Sequence, residues 1–229
     1  MELSINSTSS SLSVIDRKQK EREEKDEQLA SGKRINSAAD DAAGLQISSR
    51  LTSQVNDAQQ RSINTQDQAN INNVQAGQLS SISESLQRAN VLSIQSSNPL
   101  ADSNAIQSEL DQLTEQINTI ATEALGNSSF VSGLNASDPQ TTQQAIETAL
   151  TTVTENTASL GAENNALSNQ AATYETTRVN VSAARSRIED TDYGQTTSEQ
   201  QQANTLLQAA VINKKDEDAQ KGLLINQLV

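Results

Sequence analysis

The sequence predicts an all-α fold: long antiparallel helices in a coiled-coil bundle. Three observations carry this expectation. Aliphatic residues recur at alternating spacings of three and four along much of the chain, which marks a helical seam and not the two-residue period of a strand. Only two prolines occur in 229 residues, Pro99 and Pro139, and both sit in turn chemistry. Aromatic side chains are nearly absent, with one Phe, two Tyr and no Trp, so the large apolar groups of an ordinary globular core are missing. Leu, Ile, Val and Phe together number 47, close to the boundary of about 20% below which a chain reads as disordered. Narrow aliphatic stripes on long helices are the economical use of such a set.

The elements follow in order. Residues 16–28 contain no apolar side chain, and in a helix their seam positions Gln19, Arg22 and Asp26 are polar. Such a run is either a solvated tail or part of a coil held by the flanking Leu12, Ile15 and Leu29. A first long helix is signalled by Leu45, Leu51 and Val55 and then by the stripe Leu79, Ile82, Leu86, Ala89 and Leu92. The turn Ser96-Ser97-Asn98-Pro99 ends it. Ile106, Leu110, Leu113, Ile117, Ile120 and Ala124, spaced 4, 3, 4, 3, 4, form the cleanest seam, with Asp102 or Ser103 as its cap. Gly-bounded residues 128–134 are the one strand candidate, a vestigial hairpin within a loop over 126–140. A third helix keeps the beat through Ile146, Leu150, Val153, Thr157, Leu160, Asn164, Leu167, Ala171, Tyr174, Arg178, Val181, Arg185 and Ile188. Its polar members weaken the seam and specify its register. The last segment mirrors the first, with polar seam positions Lys214, Asp218 and Lys221 between the apolar Leu207 and Val211 on one side and Ile225 and Leu228 on the other.

Composition excludes most chemistry. The net charge of -13 opposes binding to nucleic acid and to anionic membranes. With no Cys and no His, thiolate chemistry, a Ser-His-Asp triad and the commonest transition-metal ligands are ruled out. The carboxylate clusters Asp40-Asp41, Glu189-Asp190-Asp192 and Asp216-Glu217-Asp218 lack the spacing of a calcium loop, and there is no glycine-rich phosphate loop. No catalytic residue, metal or cofactor is expected. Met1 to Arg17 has no apolar core of a signal peptide, and no run approaches the roughly 20 residues of a membrane span.

Two passages carry a specific resemblance. Residues 29–47 read LASGKRINSAADDAAGLQI, and residues 177–193 read TRVNVSAARSRIEDTDY. Both resemble the corresponding stretches of bacterial flagellin, the subunit of the flagellar filament, and the likeness extends over most of residues 29–193. The resemblance implies an N-terminal arm and spacer over 1–43, a helical middle domain over 44–191, and a C-terminal arm over 192–229. The short loop at 126–140 stands where flagellins insert outer domains. It also implies a structural subunit that polymerises for motility, is exported without a cleaved signal peptide and lies outside the cell. Implied partners are further copies of itself and the flagellar export, chaperone, cap and hook-junction proteins. Leu12, Ile15, Leu29, Leu207, Val211, Ile225 and Leu228 are the implied assembly positions of the arms. The family's patch for Toll-like receptor 5 falls on Arg88, Leu92, Glu109, Ile146 and Leu150, which implies the alternative of a soluble monomer acting as a receptor-binding module; for Ile146 and Leu150 a place in the helical seam is the competing role. Two features depart from the family: charged arm centres, and Asn64 to Asn73 where an Asn-Asp-Gly-Ile-like run is usual. If the arms run antiparallel, Arg22 and Asp26 are expected to face the segment Lys214 to Lys221.

Overall fold

The computed structural model describes residues 3–226, with side chains described over 12–220. Five helices follow one another: α1 Leu3–Ser31, α2 Ala38–Ser96, α3 Ser103–Leu125, α4 Pro139–Glu189 and α5 Tyr193–Asn226. Among the described residues there is no strand, only an isolated bridge between Lys33 and Asp190. The chain divides into two compact units. One holds the residues up to Asp57 and those from Thr177 onward; the other holds Ala58–Thr176. α2 and α4 contribute to both.

In the second unit the predicted seams meet. Leu79, Ile82, Leu86 and Ala89 of α2, Leu110, Ile117 and Ala121 of α3, and Ile146, Ala149 and Val153 of α4 form one buried cluster. Leu113, Ile120, Leu150 and Leu160 pack against it half-buried. The α2 stripe also continues beyond the stretch its aliphatics reveal: Ala58, Ser62, Thr65 and Asn72 are buried at the same heptad spacing. These side chains are small or polar, so hydrophobic periodicity does not register them. Asp102 caps α3 by accepting from the backbone N–H groups of Asn104 and Ala105, as its position predicts. Asp138 caps α4 in the same way: its carboxylate accepts from the Thr141 hydroxyl at 2.7 Å and the Thr141 N–H at 3.1 Å.

The hairpin candidate is a loop instead. Its backbone groups are met by amide side chains of α3 and not by a second strand. Asn118 donates to the Val131 carbonyl and accepts from the Val131 N–H, both at 2.9 Å. Gln107 donates to the Leu134 carbonyl at 3.1 Å and accepts from the Ala136 N–H at 2.8 Å. Each amide presents one donor and one acceptor, as a strand residue would, and so removes the need for a strand partner. Val131, Leu134 and Ala136 are thereby laid into the core.

In the first unit α1 and α5 pack side by side. The two charge runs are helical and not irregular tails. Tyr193 lies beside Gly32, while seven residues earlier in α1 Lys25 pairs with Glu199 at 2.6 Å and Asp26 accepts from Gln200, so the two helices are antiparallel. The register differs from the expected pairing. Arg22 pairs with Asp26 of its own helix at 3.9 Å, and Lys214 pairs with Asp218 of its own helix at 2.5 Å. The cause is the close approach of Tyr193 to Gly32, where α5 begins beside the end of α1. Counting seven residues back along α1 and seven forward along α5 from that point places residue 25 opposite residue 200, one position from Glu199. Lys214 then lies 15 residues further on, about 22 Å along the axis. The charged centre of α1 therefore faces the Thr- and Gln-rich start of α5, where Thr196 and Ala203 are buried.

Candidate functional site

Among the described residues of the first unit, a dense polar constellation is built on Glu189, the last residue of α4. Glu189 is 7% exposed. One carboxylate oxygen meets Lys33; the other accepts from the buried Ser48 hydroxyl of α2 and lies 4.0 Å from Arg185 Nε. The backbone reinforces the same junction. Arg34 N–H donates to the Glu189 carbonyl at 2.6 Å, and Thr191 N–H donates to the Gly32 carbonyl at 3.0 Å. The Arg34 guanidinium donates to the Ile188 carbonyl at 2.6 Å. The Lys33 ammonium, then the Ser48 hydroxyl, hold the Glu189 carboxyl below its ordinary value by favouring its charged form.

The local sequence explains why these groups converge. Gly32 has φ +71°, a backbone region that glycine enters without cost, and it turns the chain sharply after α1. A Cβ on it would sit 3.0 Å from the Tyr193 hydroxyl. Asp40 accepts from the N–H groups of Ser37 and Asn36, which lowers its pKa and organises the entry to α2. Asp41 is non-helical (φ -161°, ψ 96°) and accepts from the Gly44 N–H at 2.8 Å, so it caps the long remainder of the helix. Gly44 leaves room for Ile35, whose Cδ1 would lie 2.6 Å from a Cβ placed there; Ile35 is 2% exposed. The junction residues Lys33, Glu189 and Ile35 lie inside the two passages that carry the family resemblance, but no spacing rule assigns them roles. Their separation of about 150 residues hides the contact.

The sequence-predicted patch lies wholly in the second unit. Arg88 and Glu109 are brought together across α2 and α3, with guanidinium nitrogens Nε and Nη2 at 2.8 and 2.7 Å from one carboxylate oxygen. Leu92 and Ile146 are buried in the core cluster, and Leu150 is half-buried against it. The surface at this place is thus the ion pair with the flank of Leu150. Of the arm positions, Leu12 and Val211 are exposed, while Ile15, Leu29 and Leu207 are half-buried. Ile225 and Leu228 lie outside the residues whose side chains are described.

The arrangement is structural in character. Among the described residues no group of three or more Asp or Glu side chains is placed to hold a metal ion, and no helix is long and apolar enough to cross a membrane. Glu199, its carboxyl lowered first by the hydrogen bond from Lys25 and then by Gln195, joins the two arms. The carboxylates with lowered pKa values serve as helix caps and helix-to-helix ties.

Comparison with known proteins gives a consistent outcome. The family model for the bacterial flagellin N-terminal helical region matches residues 4–136, and that for the C-terminal helical region matches residues 143–213. A flagellin from Halalkalibacterium halodurans is 30% identical over 226 residues, covering 80% of this chain and 83% of that protein. A flagellin from Clostridium tyrobutyricum is 45% identical over 98 residues, covering 42% of this chain and 26% of that protein. The flagellar filament 41 kDa core protein of Borreliella burgdorferi is 40% identical over 104 residues, covering 44% of this chain and 31% of that protein. The match thus spans about a quarter to a third of the last two relatives.

Proposed function

The chain belongs to the bacterial flagellin family, and from that membership we propose that it is a structural subunit of the flagellar filament, outside the cell, and no enzyme. The observation that carries the reading is the antiparallel pairing of α1 with α5, which joins the two ends of the sequence into one helical arm pair. Leu12 and Val211 lie exposed on that pair, and Ile15, Leu29 and Leu207 remain only half-buried. Apolar positions left uncovered in one copy are available to neighbouring copies. Heterologous contacts of this kind extend into open helical polymers. The flagellar export, chaperone, cap and hook-junction proteins are the further partners this role calls for. Recognition by Toll-like receptor 5 would fall on Arg88 and Glu109, since Leu92 and Ile146 belong to the core.

Sedimentation and electron microscopy test the proposal. The purified chain is mixed with short filament seeds, and growth of pelletable filaments is the expected result. A chain that stays monomeric with and without seeds refutes the filament role.

A further inference from the structure

We infer that the pair α2–α4 has a built-in yield point: residues 58–75 and 160–176 of the second unit open together and on their own, while the aliphatic core stays closed. The inference goes beyond the filament role and applies to a single copy. Three observations coincide at this level of the pair. The first is what the seam buries. On α2 it buries Ala58, Ser62, Thr65 and Asn72, and on α4 every side chain from 154 to 176 is exposed or half-buried. The large aliphatics of α2 enter the core only from Leu79 onward. Hydrophobic stabilisation scales with the apolar area removed from water, and Ala, Ser, Thr and Asn remove little. α3 ends at Leu125, and its last turn meets α2 at Gln75, which donates to the Ala124 carbonyl at 3.4 Å. Before Gln75 the described seam joins α2 to α4 alone.

The second observation is a pair of unmatched polar atoms. Asn72 is 1% exposed; its side-chain oxygen accepts from Gln68 at 3.1 Å, while its amide nitrogen is buried without a partner. Asn164 donates across the seam to the Asn73 oxygen at 2.8 Å, and its own side-chain oxygen is likewise buried and unmatched. Such atoms favour any state in which water reaches them. The third is incomplete packing. Thr65 and Ala69 of α2 and Leu167 and Ala171 of α4 border a cavity of about 350 Å³, so side chains on both helices lack neighbours there and lose dispersion contacts. Stretches with few buried apolar contacts open below the free energy of global unfolding. Once parted, neither helix holds itself well. Residues 62–73 read SINTQDQANINN, rich in side chains that compete for backbone hydrogen bonds, and isolated segments of this length are marginal helices in water. Parting the pair therefore exposes backbone amides on both sides at once.

Native-state hydrogen exchange on the full, unassembled chain, read by mass spectrometry, tests the inference. In the parent, segments 58–75 and 160–176 are expected to exchange about tenfold or more faster than segments 79–92 and 106–121. Ile146→Val, a mild change at a core residue of α4 that is 1% exposed, is expected to speed exchange of the two core segments by about twofold to tenfold and to leave 58–75 and 160–176 unchanged. Asn72→Leu removes the unmatched donor and is expected to slow both 58–75 and 160–176 by about fivefold to tenfold. One exchange rate for all four segments in the parent overturns the yield point. So does an equal acceleration of all four by Ile146→Val, which would mean that they open only by global unfolding. If Asn72→Leu slows neither segment, or slows 58–75 without 160–176, the two stretches do not open as a pair and the inference falls. None of these outcomes bears on growth from filament seeds, so the filament role stands or falls separately.

Discussion

Replacing Glu189 by Gln isolates the charge at the junction of the first unit. The substitution keeps the shape and leaves an oxygen and an amide to meet Lys33 and Ser48, so both contacts survive without the carboxylate's negative charge. Charged hydrogen bonds contribute about 1.5–3 kcal/mol and neutral ones about 0.5–1.5 kcal/mol. Lys33 is 52% exposed on its side chain, so water screens much of the ion pair. The expected loss is about 1–2 kcal/mol at pH 7. Its pH dependence has a definite sign. The folded carboxyl titrates below its ordinary value because Lys33, then Ser48, favour the charged form. The unfolded chain therefore takes up this proton first as pH falls from about 4.3. The stabilisation is complete above that value and is lost as pH falls through the folded one. Urea unfolding followed by helical circular dichroism at pH 7, 4 and 2 measures it. The gap between the parent and Glu189→Gln should be largest at pH 7 and narrow towards pH 2 as the folded carboxyl takes up its proton. Arg185 and Arg34, the neighbouring cations, stay charged throughout and leave the sign intact. An equal gap at pH 7 and pH 2, or none at pH 7, would refute the reasoning.

Other substitutions probe the second unit and the turn after α1. Leu86→Ala removes a fully buried side chain and should lower stability by about 2–5 kcal/mol in the same urea assay. Asn72→Leu should raise it by about 1 kcal/mol, because the Asn72 side-chain nitrogen is buried without a partner and a buried unpaired donor is costly. Arg88→Ala should change stability by less than about 1 kcal/mol, since both members of its ion pair are largely exposed. Gly32→Ala should lower the melting temperature, because it forces a side chain to φ +71° against the Tyr193 ring; an unchanged melting temperature would mean that the turn relaxes freely.

Much of the helical plan was legible because it is written locally. The spacing of Ile106, Leu110 and Ile117 predicts a buried stripe, and all three are in the core. Asp102 predicts a cap and serves as one. The polar continuation of the α2 stripe through Ser62, Thr65 and Asn72 was not legible, because burial of small polar residues leaves no mark on a hydrophobic pattern. Nor was the role of Gln107 and Asn118: an amide on a helix face looks solvated until a loop lies across it. The junction at Glu189 escaped for another reason. Its partners Lys33 and Ser48 lie more than 140 residues away, and periodicity carries no information at that distance.

By itself the amino-acid order determined that this chain would be helical, that its few aliphatics would form narrow seams, and that it would have no thiol or imidazole chemistry. These are consequences of spacing and composition, which act within a few turns of one helix. The tertiary structure decided the register of the arms, the place of the loop and the surface left exposed. Register follows from where Tyr193 meets Gly32, and that contact sets Lys25 beside Glu199. Whether a charge run is a tail or half of a helix pair depends on what lies opposite it, and only the folded chain brings the two ends together.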